Sequence, residues 1–336
     1  MIPSPDHPIR KLLVLTYHHL DYFVAPSWFS EKLRTEFPAF DIVQQNTYQN
    51  FEQEIADTEI LFCTSLRPEQ FLAARKLKWI HSQSAAVHQF MFTELVNSDV
   101  TLTNSSDVHS VVVAEQVMAM LFAVARLVPA AVRFQQKHVW GQEGMWHSRL
   151  RPRELSGTTL GLVGLGSIGR NVAQRASAMG MRVIAVREHP EKPRPQFVEE
   201  VLPSSKVNDL LSQSDYVLLS TPVTPQTTGM IGRRQLAAMK PDGCLLNVGR
   251  GSLIVESELI EALRGNKIAA ALDVFDEEPL PADSPLWDLE NLLIMPHTGG
   301  MSTKMWERHY GYFSENLRRY LAGQSLLGLV DKQRGY

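Results

Sequence analysis

The chain has 336 residues, more than one hydrophobic core usually serves, so two domains are the default reading. With 44% hydrophobic and 21% charged residues and a formal charge of −3, it has the composition of a soluble globular protein. It carries no polybasic tail, which gives no footing to a nucleic-acid or membrane-surface partner.

Met1 to Lys11 is polar and proline-containing, so no secretory signal is expected there. Leu12–Leu15 reads as a short apolar strand, 28–36 as a helix, 60–63 as a strand, 68–76 as a helix and 77–81 as a strand. That alternation predicts a parallel sheet flanked by helices. Cys63 and Cys244 lie inside apolar runs and read as buried small hydrophobes in a reducing compartment, the cytoplasm, with no metal site expected. The run 111–132 is the most membrane-like segment, but Glu115, Gln116, Arg126 and Pro129 interrupt it, and one long buried helix is expected. Asn104-Ser105-Ser106 reads as the capping cluster that starts this helix; its match to a glycosylation acceptor matters only in a secreted protein.

The rhythm restarts at Thr158. A strand over 159–163, a helix over 167–179 ended by Gly180, and a strand over 181–186 come first. Further strands follow at 216–220, 244–248, 268–274 and 292–295, with a turn at Pro241-Asp242-Gly243. This predicts a doubly wound sheet. The final helix, over 303–321, has no strand after it, so it is expected to return to the first unit.

Gly164-Leu165-Gly166-Ser167-Ile168-Gly169 is a G-x-G-x-x-G between an apolar strand and a helix, the context that dinucleotide binding requires. Gly164 allows the tight turn, Gly166 lets backbone approach a pyrophosphate, and Gly169 lets helix and strand pack closely. The helix N-terminus, beginning at Ser167 and Ile168, offers free N–H groups to the anion. At the end of the next strand an acidic residue would bind the ribose hydroxyls of NAD, but Arg187 stands there, followed by Glu188. A guanidinium pairs with a 2′-phosphate and offers a ribose hydroxyl no acceptor, so NADP(H) is the expected cofactor. The open alternative is that Arg187 is a solvated strand-end charge and Glu188 takes the ribose of NAD(H).

Three strand ends carry the side chains a hydride-transfer site needs. Reducing a 2-oxo acid requires a cation for the carboxylate, which Arg250 supplies with bidentate geometry while polarising the carbonyl. It requires a proton donor, for which His297 is the candidate, and a carboxylate beside that donor, for which Glu278 is the candidate. Each alone is more often a solvated charge or a loop residue; their placement after successive strands is what favours the functional reading.

These segments resemble the D-isomer-specific 2-hydroxyacid dehydrogenase family. The stretches that carry the resemblance are LSGTTLGLVGLGSIGR, LLSTPVTPQTTGMIG, LLNVGRGSLIVESELIEAL, AALDVFDEEPLP and NLLIMPHTGG. It reaches back to VVVAEQVMAMLFAVAR and fades through the first hundred residues, where LKWIHSQSAAVHQF is the clearest match. The resemblance implies the same roles for Arg250, Glu278 and His297. It further implies cofactor contacts at Thr221, Pro222, Val248, Gly249, Asp273 and Gly299, and substrate contacts through the N–H groups of Ala86 and Val87. It implies a Rossmann cofactor domain, 106–298, inserted in a smaller flavodoxin-like substrate domain, 1–105 and 299–336. A homodimer and an (R)-2-hydroxy acid product complete the expectation.

Two departures from the family pattern stand out: Arg187, and Ala85-Ala86-Val87-His88 where the family writes A-G-V-D. Alanine brings a methyl group where glycine has none, so this departure bears on pocket width and with it on substrate identity. Glu278 separates the chain from formate dehydrogenases, which place glutamine there. Too few residues follow His297 for a regulatory domain of the phosphoglycerate dehydrogenase kind. A glyoxylate, hydroxypyruvate or broader 2-oxo acid reductase is the expected activity; the alternative is a dinucleotide-sensing corepressor of the same fold.

Overall fold

The computed structural model describes residues 10–335. The reading of Met1 to Lys11 as free of a signal sequence falls almost wholly outside them. The chain divides into two compact units, Met1–His109 with Ser302–Tyr336, and Ser110–Met301. The sequence reading had put the cuts at 105/106 and 298/299, whereas these units divide at 109/110 and 301/302.

In the first unit, strands β1 (Arg10–Leu15), β2 (Phe40–Gln45), β3 (Thr58–Cys63), β4 (Trp79–Ser82) and β5 (Thr101–Thr103) form one sheet in the order β2-β1-β3-β4-β5. Every pairing is parallel. Helices α1 (Ser27–Glu36), α2 (Phe51–Ile55), α3 (Pro68–Ala73) and α4 (Thr93–Val96) connect the strands. β2, β5 and α2 were not read from the sequence. β2 (FDIVQQ) mixes polar with apolar residues as an edge strand does, and β5 is only three residues long. Side chains alternate across the sheet: Leu12, Val14, Ile60 and Phe62 enter one core, Leu13, Leu15, Leu61 and Cys63 the other.

In the second unit the helices are α5 (Ser110–Ala125), α6 (Val128–Gln136), α7 (Gln142–Trp146), α8 (Ser167–Ala178), α9 (Val207–Gln213), α10 (Arg233–Ala238) and α11 (Glu256–Arg264). The strands are β6 (Thr159–Val163), β7 (Arg182–Arg187), β8 (Glu200–Pro203), β9 (Tyr216–Leu219), β10 (Cys244–Asn247), β11 (Ala269–Leu272) and β12 (Leu292–Ile294). The sheet order is β12-β11-β10-β9-β6-β7-β8, again all parallel. β6 is buried along its whole length, as a central strand covered on both faces must be. The expected two doubly wound sheets are therefore both present.

The last helix, α12 (Met305–Leu321), belongs to the first unit, where Met305, Trp306, Phe313 and Leu317 enter the same core as Leu12 and Trp79.

Two sequence readings need correction. The single long helix expected over 111–132 is two, α5 and α6, bent by 66°. Leu127 takes a left-handed φ of 55° and Pro129 stands in the first turn of α6, so the backbone cannot continue straight. α5 is largely buried, but α6 has no buried residue. No single helix among the described residues is long and apolar enough to cross a membrane. Nor does Asn104-Ser105-Ser106 cap α5, which begins only at Ser110. Asn104 instead accepts the Ser106 N–H at 3.2 Å and donates to the Ala85 carbonyl, while the Ser105 hydroxyl donates to Ser82. Both cysteines are buried, as expected, and burial pushes the Cys244 thiol up to about 12.

Candidate active site

The second sheet reverses its winding between β6 and β9, and its carboxyl edge there is where an open α/β sheet binds ligand. Gly164 follows β6 with φ +102°, in the left-handed region that favours glycine. The Ser220 hydroxyl donates to its carbonyl at 3.2 Å. A Cβ at Gly169 would stand 2.4 Å from that same carbonyl oxygen, so α8 can approach β6 this closely only through glycine. A Cβ at Gly166 would meet nothing within 4 Å. Gly166 precedes Ser167 and Ile168 at the α8 N-terminus, leaving an open cradle at the positive end of the helix, which suits a pyrophosphate.

Arg187 ends β7, as expected, but its guanidinium lies over its own loop. Nη2 donates to the carbonyls of Lys192 and of Pro193 (3.4 Å), while Nε is buried without a partner. Thr221 and Pro222 follow β9, with the Pro222 carbonyl accepting the Thr227 hydroxyl at 2.8 Å. Val248 and Gly249 follow β10, Val248 buried with its N–H on the Leu219 carbonyl.

The loop that ends in Arg250 is built by Asn247, a fully buried side chain whose role the sequence did not reveal. Its amide donates to the Arg250 carbonyl at 2.8 Å, and its oxygen accepts the Gly249 N–H at 3.0 Å. The Arg250 guanidinium donates to the Gly249 carbonyl at 2.7 Å. Burial lowers its pKa and the charge of Glu278 opposes that, but an arginine keeps its proton at any working pH. Gly251 comes next, and a Cβ there would fall 1.9 Å from the Phe275 carbonyl carbon. Glycine at 251 thus lets the Arg250 loop cross the loop that carries Glu278.

Glu278 turns back on that loop, one oxygen accepting the Phe275 N–H at 2.9 Å and the other meeting His297 Nδ1 at 2.5 Å. His297 follows β12 in a left-handed conformation, φ +53°. Such backbone is uncommon outside glycine and persists where surrounding contacts impose it. Asp273, after β11, is one source: its two oxygens accept the N–H groups of Thr298 and Gly299, each at 2.9 Å. Burial raises the Asp273 pKa, while those two N–H groups and His297 pull it down. A Cβ on Gly299 would stand 2.6 Å from the Asp273 carboxylate, so this grip also depends on glycine. Gln116 on α5 lies against Gly299, and its amide nitrogen and the Thr298 hydroxyl are buried without partners. Gln116 had signalled itself only as a polar residue inside an apolar run.

Ala86 and Val87 belong to the first unit, in the loop after β4. The Gln89 amide donates to the Ala86 carbonyl at 3.3 Å and the Asn104 amide to the Ala85 carbonyl at 2.9 Å, holding the loop by its carbonyls.

A carboxylate-held histidine, a half-buried arginine on the loop after β10 and an open glycine-rich helix start lie at the carboxyl ends of this sheet's strands. The "D-isomer specific 2-hydroxyacid dehydrogenase, NAD binding domain" family matches residues 118–299, and the chain belongs to that family. It is 32% identical over 305 residues to D-3-phosphoglycerate dehydrogenase of Methanocaldococcus jannaschii, a match covering 89% of this chain and 57% of that protein. It is 35% identical over 271 residues to glyoxylate reductase of Korarchaeum cryptofilum, covering 79% of each. The chain therefore spans little more than half the length of the first relative. The fold superposes with a TM-score of 0.82 on a D-isomer specific 2-hydroxyacid dehydrogenase from Xanthobacter autotrophicus Py2 in complex with NADPH and MES. That structure is 27% identical, and the match covers 97% of this chain and 99% of that one.

Proposed function

We propose that the protein is an NADP(H)-preferring reductase that converts a small 2-oxo acid to its (R)-2-hydroxy acid. The observation that carries the reading is the His297 Nδ1–Glu278 contact at 2.5 Å, with Arg250 on the adjoining loop. When bound, the reduced nicotinamide supplies the hydride that reaches the carbonyl carbon. His297 delivers a proton from Nε2 to the carbonyl oxygen, while Glu278 receives the Nδ1 hydrogen and fixes the ring orientation. Arg250 pairs with the substrate carboxylate and polarises the carbonyl, and the N–H groups of Ala86 and Val87 serve the carboxylate in the first unit.

The residues fit a dinucleotide. Gly166 leaves the cradle at the α8 N-terminus open, and Gln116 and Thr298 carry unpartnered polar atoms beside Asp273 and Gly299, where the carboxamide would be held. The unpartnered Arg187 Nε supports NADP(H), although the rest of that guanidinium is engaged by its own loop. Thr221, Pro222, Val248 and Gly249 complete the strand-end wall.

The working form we propose is a homodimer, since α6 exposes Val128 and Val132 and the segment between α6 and α7 exposes Trp140, the last at 89%. Its cysteines, held as buried thiols, suit a reducing compartment such as the cytoplasm.

The deciding experiment is NADPH oxidation with glyoxylate, hydroxypyruvate, pyruvate and phenylpyruvate, repeated with NADH. Turnover of at least one acid with a lower KM for NADPH is expected. No turnover of any would replace the reductase with a dinucleotide-sensing protein, and a lower KM for NADH would remove the NADP(H) preference.

A further inference from the structure

We propose that Gln116, on α5, recognises the carboxamide of the nicotinamide, its side-chain N–H donating to the carboxamide oxygen. The inference deepens the function proposed above and rests on it for the presence of a nicotinamide dinucleotide. Every residue it uses belongs to the second unit.

α5 is an apolar helix, and after Ser110 its only polar side chains are Glu115 and Gln116. Glu115 is exposed and lies 4.0 Å from Arg175. Gln116 has no such outlet. Its side chain makes no hydrogen bond among the described residues, and Nε2 is buried. A buried donor without a partner carries its full desolvation penalty, which a leucine or methionine at that position would avoid. In a folded protein such a group calls for something that pairs with it.

The surroundings of Gln116 select the partner. Its Cγ stands 3.7 Å from where a Cβ on Gly299 would be, and the hydroxyl of Thr298, next to Gly299 in the chain, is also buried and unpartnered. Asp273 accepts one N–H at each oxygen, both at 2.9 Å, and each oxygen keeps a second lone pair. This wall, at the carboxyl ends of β11 and β12, therefore offers a donor from α5 and acceptors from the two strand ends. A carboxylate ligand would face the charge of Asp273, and a lone carbonyl would leave the acceptors without a hydrogen. A primary amide meets both, with an oxygen that accepts and an NH2 that donates. The carboxamide of nicotinamide is such a group, and holding both its ends fixes which face of the ring is presented. Because nothing pairs Gln116 in the free chain, its worth shows only with the dinucleotide bound.

The test measures equilibrium binding to the full chain by tryptophan fluorescence. The probes are NADPH or NADH, whichever binds more tightly, and its thionicotinamide analogue, in which sulfur, a poor acceptor, replaces the carboxamide oxygen. Melting temperatures are taken with and without the dinucleotide. The wild type is expected to bind the oxygen compound about tenfold more tightly than the sulfur analogue. Gln116→Met, similar in length, weakens the oxygen compound about tenfold and brings the two affinities level. Without ligand that variant melts no lower than the wild type, because it removes a donor that nothing pairs, while the rise in melting temperature on binding shrinks. A free variant that melts lower while keeping the preference for oxygen would assign Gln116 to packing and overturn the proposal. Equal wild-type affinities for the two dinucleotides would overturn it without any variant. If no 2-oxo acid turns over, the reductase reading fails and these affinities still decide the proposal; a wild type that binds neither dinucleotide overturns both.

Discussion

Two buried histidines should make the first unit acid-sensitive in a window above the carboxylate range. His81 on β4 has no exposed surface, and burial drives its pKa down to about 3. Its neighbours are set for the neutral ring. Ser105 donates its hydroxyl to Ser82 at 2.8 Å and can therefore accept from His81 Nε2 at 3.1 Å. Thr103 accepts the Trp79 indole N–H at 2.8 Å, and its own hydroxyl hydrogen is shared between His81 Nδ1 at 2.8 Å and the Ile80 carbonyl at 3.4 Å. A second proton on the ring would take that acceptor site away. His309, on α12, is likewise buried and held well below its ordinary pKa by burial, with His109 and His81 adding to it.

A histidine whose pKa is depressed by folding takes up protons first in the unfolded chain. The stability it lends is complete above the unfolded pKa and is lost as pH falls below it. With about 6.5 unfolded and about 3 folded, His81 alone withdraws about 2 kcal/mol between neutral pH and about pH 5. His309 acts in the same direction. The assay is urea denaturation at neutral pH and near pH 5, followed by tryptophan fluorescence, for the wild type, His81→Phe and His81→Gln. The wild type should lose about 2 kcal/mol more than a variant that still folds, because only the titration at position 81 differs. Equal losses in all three proteins would refute the argument. Charges elsewhere cancel in the comparison.

Other expectations concern the second unit. His297→Gln should lower turnover by about 10²–10⁴ if His297 is the general acid, measured as kcat under saturating substrate; an unchanged rate removes it from the mechanism. Arg250→Lys should raise KM for the 2-oxo acid more than KM for the cofactor, because the ammonium gives up bidentate pairing; equal effects would count against a carboxylate clamp. Gly251→Ala should cost about 3 kcal/mol or more in a denaturant melt, the new Cβ meeting backbone rather than a yielding side chain. Gly166→Ala should cost less than about 1 kcal/mol yet raise KM for the cofactor, since its Cβ meets nothing in the protein but enters the proposed phosphate cradle. Melting losses of equal size in the two glycine variants would contradict the geometry.

Much of the fold was legible because periodic burial and chain punctuation coincide in this sequence. β6 and α8 appear almost where their pattern put them, since an unbroken apolar run ends at a glycine turn and a helix follows with Gly169, Val172, Ala173 and Ala176 on one face. β2, β5 and β8 were missed because edge strands keep polar residues and have little length. The break at Leu127 was overlooked for a different reason. Apolar content continues past Pro129, but the residues beyond it face outward, so composition suggested burial that the backbone does not provide.

For the site, side-chain chemistry and ordered motifs singled out Arg250, Glu278 and His297 from the sequence alone. The approach distances that hold them were beyond it. Asn247 looked like the end of a strand and Gly251 like a loop residue; each acts through backbone that the chain reaches only after folding. Asp273 was read toward a cofactor; that its carboxylate also holds the N–H groups after His297 was not legible.

What the sequence determined by itself was the class of fold and the chemical capacity of its strand ends, because periodicity and residue type are local properties. Only the tertiary structure decided that His297 adopts a left-handed backbone against Glu278, and that Arg187 bends onto its own loop. Those outcomes depend on distances between segments far apart in the chain, and distance between segments is what packing, not local preference, sets.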